Sequence, residues 1–167
     1  LENKISVVEG NFESIPFSEK NFDVIWSQDA MVHSANRTKV IQEVSRVLSE
    51  GGSFIFTDLM QSSDIPKSAL KPVLDRIHLE SLGSFGFYLE SAFKNGLGYG
   101  KITDLSSHLT THYKRVLGET ERRYDEMISL CGKAYIDTML KGLGYWVEAG
   151  EKGYLAWGIM NFVKSSP

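Results

Sequence analysis

Two apolar segments, FDVIW at 22–26 and SFIFT at 53–57, are each followed directly by polar residues. Near-continuous apolar runs of this length are typical of parallel strands that helices cover on both faces. A helix over 35–48 is predicted between them by apolar residues at helical spacing: Val40, Ile41, Val44, Val47 and Leu48. A strand, a helix and a strand of these lengths form a βαβ unit, whose two strands lie in one sheet and point the same way.

The polar residues that follow the two strands are expected to lie at one rim of the sheet. Gln28 and Asp29 follow the first strand and Asp58 follows the second, and ligands of open α/β sheets bind in the crevice beyond the carboxyl ends of the strands. An unpaired buried carboxylate is unfavourable, so Asp29 needs helix N–H groups or a cationic ligand. We interpret these residues as the floor of a pocket. The alternative is that they cap the following helix, although Ser34 and Asn36 are better placed to do so.

The remaining pattern predicts one α/β domain with additional helices. The predicted strands are 5–9, 99–105 and 155–163, and the predicted helices are 67–82, 85–95, 107–131 and 134–147. Cys131 falls within an apolar helical pattern, so we expect a buried structural thiol there.

Composition excludes several kinds of protein. The net charge of −3 and the pI near 5.8 argue against nucleic acid as the main partner, which would require a basic surface. No apolar stretch approaches the roughly 20 residues that a membrane span needs. The single cysteine, Cys131, excludes an internal disulfide and a cysteine-rich zinc site, and it fits a cytoplasmic protein; no metal site is predicted.

Several of these motifs together resemble a known family. The stretch "VVEGNFESIPFSEKNFDVIWSQDAMVHS", followed by "VIQEVSRVLSEGGSFIFTD", is similar to the second half of class I methyltransferases that use S-adenosylmethionine. The segments "LDRIHLESLGS", "THYKRV" and "LAWGIMNF" resemble those of sarcosine/dimethylglycine N-methyltransferases, with phosphoethanolamine methyltransferases as more distant relatives. The resemblance implies a Rossmann-like sheet, S-adenosylmethionine as cofactor and a small amine as substrate, either an N-methylated glycine or phosphoethanolamine.

One family feature is not found in these residues. The glycine-rich turn that holds the cofactor in class I methyltransferases has no counterpart, because Gly96, Gly98 and Gly100 have the spacing but follow a predicted helix. We therefore expect residues 1–167 to be a partial methyltransferase domain that, alone, is inactive and does not bind S-adenosylmethionine. The competing hypothesis is a non-catalytic module that forms homo-oligomers through exposed sheet edges.

The resemblance also implies site residues near the first two strands. Asn11 and Phe12 match cofactor-binding positions at the adenine; a turn-forming role is the alternative for Asn11. Gln28 is also predicted to bind the cofactor, because it lies at the carboxyl end of the first strand. Asp29 and His33 match catalytic and substrate-binding positions of phosphoethanolamine enzymes. His33 is then the acceptor of the substrate's ammonium proton, whereas a structural hydrogen bond is the alternative.

The substrate-binding candidates are Asp58, Met60, Arg76, His112, Tyr113 and Trp157. Arg76 would hold a substrate carboxylate in a bidentate pair, unless it forms a solvated pair with Asp75 or Glu80. Trp157 would cover a methylammonium group by cation–π contact. Core packing is the alternative for both Tyr113 and Trp157.

Overall fold

The computed structural model describes residues 4–66 and 68–166. The elements are β1 (Phe22–Gln28), a 3₁₀ helix (Met31–His33), α1 (Arg37–Val47), β2 (Leu48–Gln61), α2 (Lys71–Ile77), α3 (Phe85–Lys94), β3 (Leu97–Asp104), α4 (Ser106–Arg122), α5 (Tyr124–Cys131), α6 (Lys133–Glu151) and β4 (Leu155–Lys164). Mixed α/β architecture with one sheet and added helices was predicted from the pattern, and it is confirmed.

The four strands form one sheet in the order β1-β2-β4-β3. Strands β1 and β2 are parallel, and β4 runs antiparallel to both β2 and β3. The parallel pair is the predicted βαβ unit, with α1 as its crossover. Helix α1 begins after Asn36, whose side chain accepts a hydrogen bond from the N–H of Lys39 at 3.1 Å, as expected of an N-cap.

Two clusters of buried side chains hold the fold together. The first lies between one face of the sheet and the helices α1 and α3, and its largest members are Phe54, Phe56, Tyr88 and Phe162. The second joins the ends of β2 and β4 to α2, α4 and α6 around Trp146. The second cluster positions the site, because it holds α4 and α6 over the rim where β1 and β2 end.

Four local predictions were wrong or only partly right. Residues 5–9 form no strand and are exposed; a strand needs a partner backbone for its hydrogen bonds, and none of the described strands lies alongside them. The helix predicted over 67–82 spans only Lys71–Ile77, because His78 adopts a left-handed conformation with φ of 56° and ends it; its predicted first residue lies outside the described residues. The long helix over 107–131 divides at Arg123 into α4 and α5. Cys131 is exposed.

Candidate active site

Strands β1 and β2 run in the same direction, as the βαβ pattern predicted, and β1 ends beside Thr57 of β2, which continues to Gln61. Gln28 is paired with Thr57, and the N–H of Asp29 donates to the carbonyl of Thr57 at 3.0 Å. Asp29 has a φ of 48°, in the left-handed region that aspartate tolerates better than most residues. The chain therefore leaves the strand sharply at Asp29.

Asp29 is tied to the last strand by one long-range hydrogen bond. The indole Nε1–H of Trp157, on β4, donates to Oδ1 of Asp29 at 2.8 Å. Trp157 lies opposite Leu59 in the β2–β4 ladder, so both side chains point to the same face of the sheet. The second carboxylate oxygen of Asp29 has no hydrogen-bond partner among the described residues.

A cavity of about 360 Å³ opens above this pair. Its lining residues come from β2, α4, β4 and the residue that follows β1: Asp29, Leu59, His108, Leu109, His112, Tyr113 and Trp157. The Tyr113 ring stacks on Trp146 with centroids 4.6 Å apart. Burial raises the pKa of the Tyr113 hydroxyl, Arg76 opposes that shift, and Asp29 adds to it. The site is thus a half-open cleft with one carboxylate, aromatic walls and a nearby guanidinium.

Three of the predicted site residues therefore share one cavity with Asp29. His112 and Tyr113 are neighbours on α4, Trp157 lies on β4, and packing of α4 against β4 brings them together. His108, Leu59 and Leu109 line the same cavity and were not predicted. The spacing of His108 and His112, four residues apart on one helix, was the available signal, because such residues share a helix face.

Asp58 lies beneath the cleft and does not line it. Its side chain is fully buried; it accepts hydrogen bonds from the N–H of Val32 at 2.9 Å and from the hydroxyl of Tyr88. Burial raises the pKa of this carboxyl to about 6, against the opposing effects of these two hydrogen bonds and of Arg37. The structure does not support direct contact between Asp58 and a substrate, because both carboxylate oxygens face protein groups.

Strand alternation explains why Asp58 and Met60 do not line the cleft. Successive side chains of a strand point to opposite faces, and Phe54, Phe56, Asp58 and Met60 all point into the core beneath α1 and α3. Met60 is fully buried there, so it forms no wall of the cleft. Leu59, between them, points to the other face and takes that place.

His33 lies beside the cleft, in a different cavity. The 3₁₀ helix ends at His33, whose side chain is exposed. It lines a cavity of about 370 Å³ together with Arg37 and Ser81. Arg37 donates to the carbonyl oxygens of Val32 and Ser81 at 2.9 and 2.8 Å and so joins the 3₁₀ helix to the segment before α3. Asp29 and His33 are therefore close along the chain but do not line one cavity.

The predicted cofactor-binding residues are exposed. Gln28 is exposed at the end of β1, and Asn11 and Phe12 are exposed in the preceding loop. Oδ1 of Asn11 accepts from the N–H of Glu13 at 2.8 Å, which is the turn-forming role considered as its alternative. Glu13 in turn accepts from the hydroxyl of Ser34 at 2.6 Å. The loop is thereby attached to the segment that follows the 3₁₀ helix.

A buried carboxylate secures the same loop to α1. Glu43 accepts from the N–H of Ile15 at 2.9 Å and pairs with Arg46 at 2.8 Å. Arg46 lowers the pKa of Glu43 to about 2, and the Ile15 hydrogen bond acts in the same direction. Arg46 also donates to the carbonyl of Ile15 at 2.9 Å. The loop that carries Asn11 and Phe12 is therefore held by charge-assisted hydrogen bonds.

Arg76 belongs to α2, and its side chain lies against α6. Among the described residues, Arg76 has no carboxylate within 4.0 Å and no hydrogen-bond partner. Asp75, which was considered as its partner, pairs with Lys71 at 2.8 Å instead. The Arg76 side chain packs against Gly142 of α6 and lines a groove of about 720 Å³ between the two helices.

Metal-binding clusters and membrane-spanning helices are both absent from the described parts of the chain. Residues 4–66 and 68–166 contain no group of three or more His, Cys, Asp or Glu side chains placed to hold a metal ion. Over the same residues, none of the helices combines the length and the hydropathy that crossing a membrane requires.

Comparison with known proteins identifies relatives over nearly the whole chain. A family model described as a methyltransferase domain matches residues 1–56. The sarcosine/dimethylglycine N-methyltransferase of Aphanothece halophytica is 48% identical over 164 residues, which are 98% of this chain and 59% of that protein. The chain thus spans about three fifths of the length of this curated relative.

Solved structures show the same fold. A candidate sarcosine dimethylglycine methyltransferase from Galdieria sulphuraria superposes with a TM-score of 0.91 at 39% identity, over 99% of this chain and 61% of that one. A phosphoethanolamine N-methyltransferase of Haemonchus contortus in complex with S-adenosyl-L-methionine gives a TM-score of 0.82 at 15% identity, over 93% and 36% of the two chains. The chain therefore has the class I methyltransferase fold in the part that it spans, and its sequence is similar to those of sarcosine/dimethylglycine N-methyltransferases.

Proposed function

We propose that the protein carrying this chain transfers a methyl group from S-adenosylmethionine to the nitrogen of sarcosine and dimethylglycine, and so contributes to betaine synthesis. The observation that carries the proposal is the cleft at the ends of β1 and β2, where the Asp29 carboxylate is held by Trp157 between aromatic walls. The choice of substrate is supported by relatives that are 40–48% identical to this chain and are named as sarcosine/dimethylglycine or dimethylglycine N-methyltransferases.

The exposed residues at the rim fit the proposed cofactor. Phe12 presents an aromatic ring and Asn11 an amide group, which suit the face and the edge of an adenine, and Gln28 lies at the end of β1 near the same rim. S-adenosylmethionine would supply an electrophilic methyl group. Asn11, Phe12 and Gln28 would hold it, and the hydrogen bonds of Glu13 and Glu43 would keep the loop of Asn11 and Phe12 in place.

The cleft residues suit a small N-methylated amino acid. The Asp29 oxygen that has no partner is available to an ammonium group. Trp157 and Tyr113 offer aromatic faces to N-methyl groups that carry partial positive charge. Arg76, with no acidic partner of its own, is available to the substrate carboxylate. Together these groups would orient the nitrogen for attack, and positioning of this kind supplies much of the acceleration of a displacement reaction.

A proton must leave the amine before transfer, because a protonated nitrogen has no lone pair. His33 is the acceptor implied by the resemblance, because a neutral imidazole can accept a proton as a general base. His112 lines the cleft itself and is the alternative acceptor. Asp58 is buried away from the cleft and takes no part in this step.

The proposal is tested by assaying the complete gene product with S-adenosylmethionine carrying a labelled methyl group. Sarcosine, dimethylglycine, phosphoethanolamine and a non-amine control are offered in parallel, and label in betaine and in dimethylglycine is expected. Preferential labelling of phosphoethanolamine would contradict the substrate. No transfer to any amine, together with a defined oligomer, would instead favour the non-catalytic module.

A further inference from the structure

Helix α6 carries a glycine where it crosses α2. A Cβ atom placed on Gly142 would overlap both Cδ and Nε of Arg76. Glycine is, apart from proline, the least favourable residue inside a helix, so its presence here has a packing reason: the Arg76 side chain occupies the space of the missing side chain. Gly144, two residues along the same helix, has open space where a Cβ atom would lie, with no other atom within 4 Å.

Gly142 and Trp146 lie on the same face of α6, since they are four residues apart. Arg76 packs on the first and the ring of Tyr113 stacks on the second, at 4.6 Å. Arg76 and Tyr113 therefore lie next to each other on one helix face. Consistent with this, the positive charge of Arg76 lowers the pKa of the Tyr113 hydroxyl against the effect of burial.

Tyr113 forms part of the cleft wall, and Arg76 lines the groove between α2 and α6. Arg76 is half-buried and has no acidic partner within 4.0 Å among the described residues. A guanidinium in this position can accept a carboxylate in a bidentate pair.

We infer that Gly142 is a positioning residue for carboxylate recognition: the missing side chain lets Arg76 lie against α6 beside Tyr113, where the guanidinium binds the carboxylate of an amino-acid substrate. This inference rests on the proposed function and adds to it a residue that determines specificity. It predicts that the protein distinguishes carboxylated amines from similar amines through the contact of Arg76 with Gly142.

The test uses the complete gene product with Gly142→Ala. The added methyl group displaces a flexible side chain rather than backbone, so the fold is expected to persist while the guanidinium moves. The KM for sarcosine should rise about 10- to 100-fold, the effect of losing a hydrogen bond to a charged group, with a much smaller change in kcat. Gly144→Ala is the matched control, and its KM should equal that of the wild type.

Two additional measurements separate positioning from a general structural effect. The substrate 2-(dimethylamino)ethanol lacks the carboxylate, so its KM should be the same in Gly142→Ala and in the wild type. In a double-mutant cycle, Gly142→Ala should add nothing to the KM effect of Arg76→Ala, because both substitutions remove the same contact. Equal KM increases for both substrates, or additive effects, would overturn the inference.

The outcomes distinguish this inference from the function on which it rests. A wild-type protein with no activity on sarcosine or dimethylglycine would contradict the proposed function. An active wild type with equal KM values in Gly142→Ala and Gly144→Ala would overturn the role of Gly142 alone. Should Gly142→Ala fail to fold, the double variant with Arg76→Ala should fold, because the clash is gone; its failure to do so would also overturn the inference.

Discussion

At the scale of single residues, the two aspartates that were predicted to share a rim have different environments. Asp29 follows β1 at the open rim, where one oxygen is held by Trp157 and the other is available. Asp58 lies within β2 and points into the core, where all its contacts are protein groups. Burial therefore raises the pKa of Asp58 to about 6 from its usual 3.8.

The raised pKa of Asp58 predicts a specific dependence of stability on pH. Between about pH 4 and 6 the folded state keeps a proton on Asp58 that the unfolded state has lost. The contribution of this group to the free energy of unfolding therefore falls as pH rises through that window and is constant above it. The full difference is about 3 kcal/mol, since each pKa unit corresponds to about 1.4 kcal/mol.

Asp58→Asn should remove this fall, which urea unfolding from about pH 2 to about pH 7 measures. Glu43→Gln provides the comparison with opposite sign: the pKa of Glu43 is lowered to about 2, so its contribution is present above pH 4.5 and is lost as pH falls below that value. An Asp58→Asn variant with the wild-type slope between pH 4 and 6 would contradict the assignment.

At the scale of elements, two helices each carry a histidine that could accept the proton of the substrate amine. The 3₁₀ helix carries His33 one short turn beyond Asp29, with its N–H bonded to the carbonyl of Ala30 at 3.1 Å. Helix α4 carries His112 directly on the cleft wall. The resemblance to phosphoethanolamine methyltransferases supports His33 as the acceptor, whereas the lining of the cleft supports His112.

We retain the prediction that His33 accepts the proton. His33→Ala in the complete gene product should lower kcat about 100-fold or more, in the range of general base catalysis, with little change in S-adenosylmethionine affinity. His112→Ala is compared in the same assay and should have the smaller effect on kcat. The reverse order would transfer the role to α4, and wild-type turnover in both variants would exclude either histidine as the base.

At the scale of the whole molecule, one face of the sheet is uncovered near β1. Val24 and Trp26 are 59% and 72% exposed, and Ile159 on the same face is also exposed. Strand β1 is an edge of the sheet, with its outer backbone groups unpaired by any described strand. An apolar edge of this kind favours pairing with another chain, so self-association of residues 1–167 remains a proposal.

Trp26→Thr tests that proposal in a polypeptide of residues 1–167. If the β1 face associates, size-exclusion chromatography with light scattering should show the wild type above the monomer mass and the variant closer to it. Leu130→Thr is the control, because Leu130 is 76% exposed but lies on α5. A monomeric wild type, or equal effects of both substitutions, would exclude association through β1.

The spacing of apolar residues in the sequence was enough to predict that β1 and β2 are parallel. Apolar runs flanking an amphipathic helix predict parallel strands, and parallel pairing brings Gln28 and Asp29 beside the part of β2 that precedes Asp58. The cap at Asn36 followed from side-chain chemistry alone. The motifs also sufficed to recognise the methyltransferase fold that the comparisons show.

Contacts between distant segments decided the rest. The hydrogen bond from Trp157 to Asp29 joins residues 128 apart, and no local periodicity encodes such a pair. Residues 5–9 include the β-branched side chains that favour a strand, but they have no partner among the described strands. Which face Asp58 and Met60 occupy depends on the register of β2 against its neighbours, since a strand's side chains alternate and only packing determines which side is the core.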